Sequence, residues 1–171
     1  LLDIRADIAK HVPMNRLLQG DVGAGKTAVA VATIGMGLYN RKQVALMAPT
    51  SILAEQHYRG ISKSLENMPT DIRPVVALLT SALTQSECNS VYRGLDDGSI
   101  DLVIGTHAII QDGVQFNDLG VAIIDEQHRF GVAQRRKLWE KTPSEKGQSI
   151  PPHILVMTAT PIPRTLAMSV Y

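Results

Sequence analysis

The fold of this chain is decided by the stretch Gly20-Asp21-Val22-Gly23-Ala24-Gly25-Lys26-Thr27. This stretch matches the phosphate-binding loop G-x-x-x-x-G-K-[ST]. It follows a short run that predicts a strand, Arg16–Gln19, and precedes an apolar run that predicts a helix, Ala28–Tyr39. In this order, backbone N–H groups and the positive end of the helix dipole converge on one point. The loop is therefore predicted to bind a polyphosphate, with Lys26 reaching its β and γ phosphates and the Thr27 hydroxyl holding Mg²⁺.

Short apolar runs bounded by turn residues alternate with amphipathic stretches along the rest of the chain. Such runs are typical of strands buried on both faces, so we predict an α/β domain with a mostly parallel central sheet and helices on either side. The predicted strands are Arg16–Gln19, Val44–Ala48, Pro74–Leu79, Leu102–Gly105, Val121–Ile124 and Ile154–Met157. The predicted helices are Ile4–His11, Ala28–Tyr39, Ser51–Leu65, Thr84–Leu95 and Val132–Lys141, with an N-cap at Ser51, a capping box of Thr84 and Glu87, and a loop over Thr142–Pro152.

Bulk composition fits one domain. The chain has 171 residues, of which 44% are hydrophobic, enough to fill a core between a sheet and its helices. The 17 basic and 16 acidic residues nearly balance, so a polyanionic partner must be held by local contacts. Cys88 has no cysteine to pair with, the first residues lack a secretory signal, and no apolar run could cross a membrane. We expect a cytoplasmic protein, and the start at Leu1 without Met suggests a fragment of a larger chain.

Two adjacent carboxylates, Asp125 and Glu126, follow the predicted strand Val121–Ile124. An open α/β sheet binds its ligands at the carboxyl ends of its strands. Asp125 can therefore hold Mg²⁺ together with Thr27, and Glu126 can polarise the water that attacks a γ-phosphate. Consecutive residues of a strand point to opposite faces, so at least one of the pair must lie beyond the strand's end. The alternative is an ordinary solvated turn.

Five segments resemble one protein family. They are Arg16–Thr27, Ala48–His57, Ile104–His107, Ile124–Val132 and Met157–Leu166. Together, and in this order, they are similar to the RecG branched-DNA helicases of superfamily 2, from about Pro13 to the end of the chain. Asp125-Glu126-Gln127-His128 resembles the DExH box of that superfamily. The transcription-repair coupling translocases and the primosomal helicases, which are close relatives, usually carry Glu where this chain has Gln127.

The resemblance implies a three-layer RecA-like domain and assigns a role to each motif. Motif I, residues 20–27, would bind ATP, and motif II, residues 125–128, would hold Mg²⁺ and activate water. The strand before motif III would lie between the phosphate-loop strand and the DExH strand. Residues expected to couple hydrolysis to movement are Gln127, His128, Thr158, Ala159 and Thr160, and residues expected to line the DNA track are Pro49, Thr50, Gly105, Thr106 and His107. Without the family, Thr50 could be a helix cap, His107 a capping or core histidine, and the two motif III threonines ordinary strand residues.

The function implied is that of the first RecA-like lobe of an ATP-dependent DNA helicase that remodels stalled forks and junctions, with ATP and Mg²⁺ as cofactors and forked or branched DNA as partner. The wedge domain and the second helicase lobe would lie outside this chain, and the isolated chain would hydrolyse ATP negligibly. Three alternatives are weighed against this function. They are a lobe of a transcription-repair coupling translocase, a nucleotide-binding scaffold without hydrolysis, and a small-molecule kinase. The second is disfavoured by the intact Lys26, Asp125 and Glu126, and the third gains no support from the Thr-His and Thr-Ala-Thr segments.

The five histidines do not indicate a metal site. None of them pairs at H-x-x-x-H spacing or joins a Cys-x-x-Cys pattern, so zinc is disfavoured. Aromatic residues are 4% of the chain, which disfavours a platform for stacking single-stranded bases. Contacts to the nucleic-acid backbone are the expectation instead.

Overall fold

The computed structural model describes residues 1–10, 12–126, 137–138, 141 and 151–159. In chain order its elements are α1 (Leu2–Ile8), β1 (Asn15–Gln19), α2 (Lys26–Tyr39), β2 (Gln43–Met47), α3 (Ser51–Leu65), β3 (Val76–Leu79), α4 (Gln85–Asp96), β4 (Leu102–Gly105), a 3₁₀ helix (His107–Ile110), β5 (Leu119–Asp125) and β6 (His153–Thr158). Every predicted strand is confirmed, with ends that differ by no more than two residues. The predicted helix 132–141 and the predicted loop 142–152 lie largely outside the described residues.

The strands form one parallel sheet. Within the described residues it has six strands in the order β1-β6-β5-β2-β4-β3, and each neighbouring pair is parallel. The position of β6 between β1 and β5 is the one that the family resemblance implies, and it is confirmed. Because all the strands run in one direction, their carboxyl ends meet at a single edge, which we call the carboxyl edge.

Alternating side chains of the strands build a core on each face of the sheet. On one face, Val44 and Leu46 of β2 and Ile123 of β5 pack with the buried side of α1, α2 and α3. On the other face, Ala45 and Ile124 pack with α4 and the 3₁₀ helix. On each face of the sheet, several strand side chains are fully buried, as expected for the middle strands of a three-layer α/β domain. The predicted fold class is confirmed.

Two helices, α3 and α4, begin directly after a threonine that caps them. The Thr84 hydroxyl accepts from Glu87 N, and a Glu87 carboxylate oxygen accepts from Thr84 N at 2.8 Å, so the predicted capping box is confirmed. The hydroxyl and backbone N–H of Thr84 together hold the pKa of Glu87 below its ordinary value. The cap predicted at Ser51 is wrong by one residue. Thr50 has the extended backbone of a cap, and its hydroxyl accepts from Leu53 N at 3.3 Å, so Ser51 is the first helical residue.

Helix α1 is fastened to the start of the sheet. Its Ile4 is buried in the core shared with α2, and the Asp7 carboxylate accepts from the Arg16 side chain on β1 and from Lys10. These two hydrogen bonds, that of Arg16 above all, hold the pKa of Asp7 below its ordinary value. The strand that leads into residues 20–25 is thereby anchored. Among the described residues, no helix is both long and apolar enough to cross a bilayer.

Candidate nucleotide and nucleic-acid site

The phosphate-loop motif forms a tight connection between β1 and α2. Gly23 and Gly25 both have φ of 83°, a left-handed conformation that glycine adopts without strain. Gly25 is the N-cap residue of α2, and Ala24 N donates to Asp21 O at 3.1 Å inside the loop. The loop is also tied to the neighbouring strand, because Gly20 N donates to Thr158 O at 3.2 Å. Residues 21–25 are exposed, so backbone groups of the loop are accessible to an anion at the start of the helix.

Lys26 lies over this loop. Its ammonium group donates to Gly20 O at 2.6 Å and to Asp21 O at 2.9 Å. The positive charge is therefore concentrated where the loop N–H groups and the α2 N-terminus already favour an anion. Thr27, the next residue, is exposed at the first turn of α2, so its hydroxyl is accessible to a cation.

The two carboxylates lie at the end of β5. Asp125 is the last residue of the strand, and Glu126 lies beyond it with φ of 55°. The prediction that at least one of the pair lies past the strand's end is confirmed. A left-handed backbone at a residue other than glycine costs on the order of 1–3 kcal/mol and concentrates at functional sites. Arg41, in the exposed turn after α2, has a similar φ of 56°, so the conformation of Glu126 marks the end of β5 and not by itself a functional site.

Sheet register sets the distance between the loop and the acidic pair. Gln19 at the end of β1 lies level with Thr158 on β6, and Asp125 lies level with the adjacent Met157. Since neighbouring strands are about 4.8 Å apart, the backbones of β1 and β5 are roughly 10 Å apart at this edge. The lysine-bearing loop and the carboxylates therefore lie at one edge of the sheet, separated by a single strand.

Asp125 has a protein partner that sequence reasoning missed. His57 Nε2 lies 3.0 Å from Asp125 Oδ2, and the two side chains are 13% and 14% exposed. Because an ionised carboxylate only accepts hydrogen bonds, Nε2 is the donor. A signal was present in the sequence. His57 is three residues after Ala54 and four before Ile61, the buried residues of α3, so helical periodicity places it on the inner face.

The site offers oxygen donors of the kind that Mg²⁺ uses. Among the described residues, no group of three or more His, Cys, Asp and Glu side chains could hold an ion. Mg²⁺ keeps several waters and is commonly bound by one or two protein oxygens together with substrate phosphates. The Thr27 hydroxyl and the Asp125 carboxylate are oxygens of this kind. They could share such an ion with a nucleotide in the loop.

The segments expected to line the DNA track come together at the neighbouring strands. Residues 49–50 follow β2, residues 105–107 end and follow β4, and these strands are adjacent in the sheet. Ala48 N donates to Gly105 O at 2.8 Å, which fixes the two segments relative to each other. Thr50 and His107 are exposed there, so the alternative of a core histidine at 107 is wrong. Thr106 is only 6% exposed, and its hydroxyl is buried without a hydrogen-bond partner among the described residues.

Gly105 is required by the sheet itself. A Cβ at this position would lie 2.0 Å from the backbone oxygen of Leu79 on β3. We expect Gly105→Ala to lower the free energy of unfolding of the chain by at least ~2 kcal/mol, because β3 and β4 would have to move apart. Equilibrium unfolding in urea measures the change.

Gly60→Ala is the matched control for that substitution. Gly60 lies inside α3, where an added Cβ meets nothing within 4 Å among the described residues. Alanine there is expected to raise the free energy of unfolding by about 0.5–1 kcal/mol. Equal stability of the wild type and Gly105→Ala would show that the close approach to Leu79 does not constrain this position.

The coupling motif is described only in part. Thr158 is the last residue of β6 and is 1% exposed, and Ala159 follows it. Gln127, His128 and Thr160 lie outside the described residues, so the expected link between motifs II and III stays a prediction.

Comparison with known proteins agrees with this geometry. The family model described as DEAD/DEAH box helicase matches residues 4–169. The chain is 53% identical over 169 residues to the ATP-dependent DNA helicase RecG of Aquifex aeolicus and 50% identical over 171 residues to that of Streptococcus pneumoniae, covering 99% and 100% of this chain. It spans only 20% and 24% of the length of these two relatives. The resemblance to RecG that the motifs indicate is confirmed across the chain.

Solved structures give the same result. A structure of RecG bound to a three-way DNA junction is 46% identical with a TM-score of 0.78, over 99% of this chain and 21% of that one. The helicase domain of Pyrococcus furiosus Hef is 23% identical with a TM-score of 0.68, over 98% of this chain and 34% of that one. The second likeness concerns the fold alone.

Proposed function

This chain belongs to the DEAD/DEAH box helicase family, and we propose that it is the ATP-binding motor lobe of a RecG-type DNA helicase. In this proposal, ATP hydrolysis drives the remodelling of stalled replication forks and recombination junctions. The observation that carries it is the arrangement at the carboxyl edge. The phosphate loop and the acidic pair lie one strand apart, and the two DNA-track segments follow the next strands of the same sheet.

Each residue of the nucleotide site has a separate task in this proposal. Lys26 offsets the charge of the β and γ phosphates, and the loop N–H groups orient them. Thr27 and Asp125 hold Mg²⁺, which supplies further charge compensation when it is bound. Glu126, the residue after the end of β5, would accept a proton from the attacking water. Positioning and charge compensation of this kind account for most of the catalysis in phosphoryl transfer.

DNA would be held by its backbone. Thr50 and His107 are exposed at the ends of adjacent strands, and main-chain N–H groups are available at the start of α3. Contacts of this kind fix position along DNA without reading bases, which suits a motor that must move over any sequence. The buried hydroxyl of Thr106 does not reach a phosphate in this arrangement. Its backbone N–H is engaged as well, because it donates to Leu79 O at 3.2 Å, so Thr106 would contact a phosphate only after a rearrangement of the segment.

The motor lobe would act with domains outside this chain. The chain spans about a fifth to a quarter of its curated relatives, and an arginine supplied by another domain can be worth about 10³-fold or more in hydrolysis rate. We propose that a second helicase lobe completes the ATP site and that a wedge domain engages the branch point. On its own the chain would bind nucleotide weakly and hydrolyse it negligibly.

ATPase activity of the full-length protein on forked and on linear duplex DNA tests this function. We expect forked DNA to stimulate hydrolysis more strongly than a linear duplex of equal length and sequence, because the wedge domain would recognise the branch. The chain of 171 residues alone serves as the low-activity control. Equal stimulation by both DNAs would favour a plain duplex translocase, such as a transcription-repair coupling factor, and no stimulation by either would contradict a DNA motor.

A further inference from the structure

The hydrogen bond between His57 and Asp125 connects helix α3 to the end of strand β5. His57 is on the inner face of α3, and its Nε2 donates to Oδ2 of Asp125 across 3.0 Å. Both side chains are largely shielded from water, which strengthens a hydrogen bond to a carboxylate. One oxygen of the carboxylate is thereby engaged by the protein. The other, Oδ1, makes no hydrogen bond within the described residues, which leaves it for the cation or for a water bound to it.

The same helix begins at the DNA track. Thr50 caps α3, and His57 lies seven residues further along, so about 10 Å of continuous helix separates the two. The helix is also packed against the sheet through Ala54 and Ile61, which are buried on either side of His57. A displacement of the capped end would therefore be carried to the histidine by a stiff, packed element.

We propose that His57 is a positioning residue that holds Asp125 for Mg²⁺, and that α3 makes this hold respond to DNA at residues 49–50. The inference rests on the proposed function, because it assigns Asp125 to the cation and Thr50 to the DNA. Hydrogen-bond partners of metal ligands orient them, and their loss commonly costs about 10–100-fold in metal affinity or activity. In this proposal the coupling would run along α3, from its capped end at Thr50 to His57 and from there to Asp125.

Equilibrium binding of a fluorescent ADP to the full-length protein, titrated with Mg²⁺, tests the hold on Asp125. In His57→Leu we expect the Mg²⁺ concentration for half-maximal binding to rise about 10-fold. His57→Gln should restore most of the wild-type value, because the amide nitrogen of Gln reaches nearly as far as Nε2. His57→Asn is polar but shorter, so it should resemble His57→Leu. Gln56→Ala, at the exposed neighbouring position of α3, should match the wild type.

Addition of forked DNA tests the second half of the proposal. In the wild type we expect DNA to lower the Mg²⁺ requirement, and in His57→Leu we expect this shift to disappear. An unchanged Mg²⁺ requirement in both His57→Leu and His57→Asn would overturn the positioning role. A raised requirement that DNA still lowers as in the wild type would overturn the route through α3.

A parallel titration of Lys26→Met separates this inference from the proposed function. If Lys26→Met loses ADP binding while the His57 variants behave as the wild type, only the inference fails. If Lys26→Met binds ADP like the wild type, the proposed nucleotide site itself is wrong. Thermal unfolding of each variant without nucleotide identifies any effect that comes from a damaged fold.

Discussion

Glu126→Gln is expected to lower the ATPase rate of the full-length protein by roughly 10²–10⁴-fold while nucleotide binding persists. Gln has nearly the same shape as Glu, but its amide cannot accept a proton from the attacking water. Lys26, Thr27 and Asp125 are untouched by this change, so phosphates and Mg²⁺ should still bind. Steady-state hydrolysis with forked DNA measures the rate, and fluorescent ADP measures binding.

Glu66→Gln is the matched control for this substitution. Glu66 is the exposed C-cap residue of α3. Its substitution replaces the same carboxylate by the same amide, but away from the carboxylates at the end of β5. The control should hydrolyse ATP at the wild-type rate. Unchanged hydrolysis in Glu126→Gln would remove Glu126 as the general base, and a loss of ADP binding would mean that Glu126 acts in holding the nucleotide instead.

The strands could be predicted because they are buried on both faces. A middle strand such as β4 needs apolar side chains on each side, so its sequence Leu102-Val103-Ile104 has no polar break. The nucleotide site could be predicted for a similar local reason. A loop that turns directly into a helix needs glycine at positions such as 23 and 25, where φ is 83°, and that requirement is visible within eight residues.

Features that depend on distant partners were not predictable. Gln43 is a buried polar residue at the start of β2, and its amide donates to Leu95 O and Ile100 O and accepts from Asp118 N. All three partners are more than 50 residues away in sequence, so no local pattern reveals them. For His57, helical periodicity indicates the inner face of α3, but it does not indicate the partner, because Asp125 is 68 residues away in sequence.

Gly105 belongs to a helicase motif, but the structure requires glycine there for a reason that the family resemblance does not suggest. The resemblance assigns it to the DNA track, whereas its lack of a Cβ is required by the oxygen of Leu79 on β3. Glycine is required only because β3 and β4 are paired, since the pairing holds Leu79 O close to this position, where it accepts from Thr106 N at 3.2 Å. A single sequence does not show which strands are neighbours, so this cause could be found only in the structure.

Lys26→Met is expected to weaken binding of ATP to the full-length protein by roughly 10²-fold and to abolish measurable hydrolysis. The lysine would contribute about two charge-assisted hydrogen bonds to phosphate oxygens, each worth roughly 1.5 kcal/mol, and 3 kcal/mol corresponds to about 10² in affinity. Of its present partners, Asp21 O is exposed and Gly20 O is only partly buried, so water can replace the ammonium. The free energy of unfolding without nucleotide should therefore hardly change.

Lys42→Met provides the comparison that isolates this effect. Lys42 is exposed and pairs with Asp118 across 2.6 Å, near the amino ends of β2 and β5, so it lies at the opposite edge of the sheet from the phosphate loop. Removal of an exposed ion pair costs at most about 1 kcal/mol of stability and should leave ATP affinity unchanged. Titration with a fluorescent ATP analogue measures the affinity of both variants for nucleotide. Equal affinities for Lys26→Met and Lys42→Met would mean that phosphate is bound elsewhere, because a compact positive charge at the loop is what distinguishes the two positions.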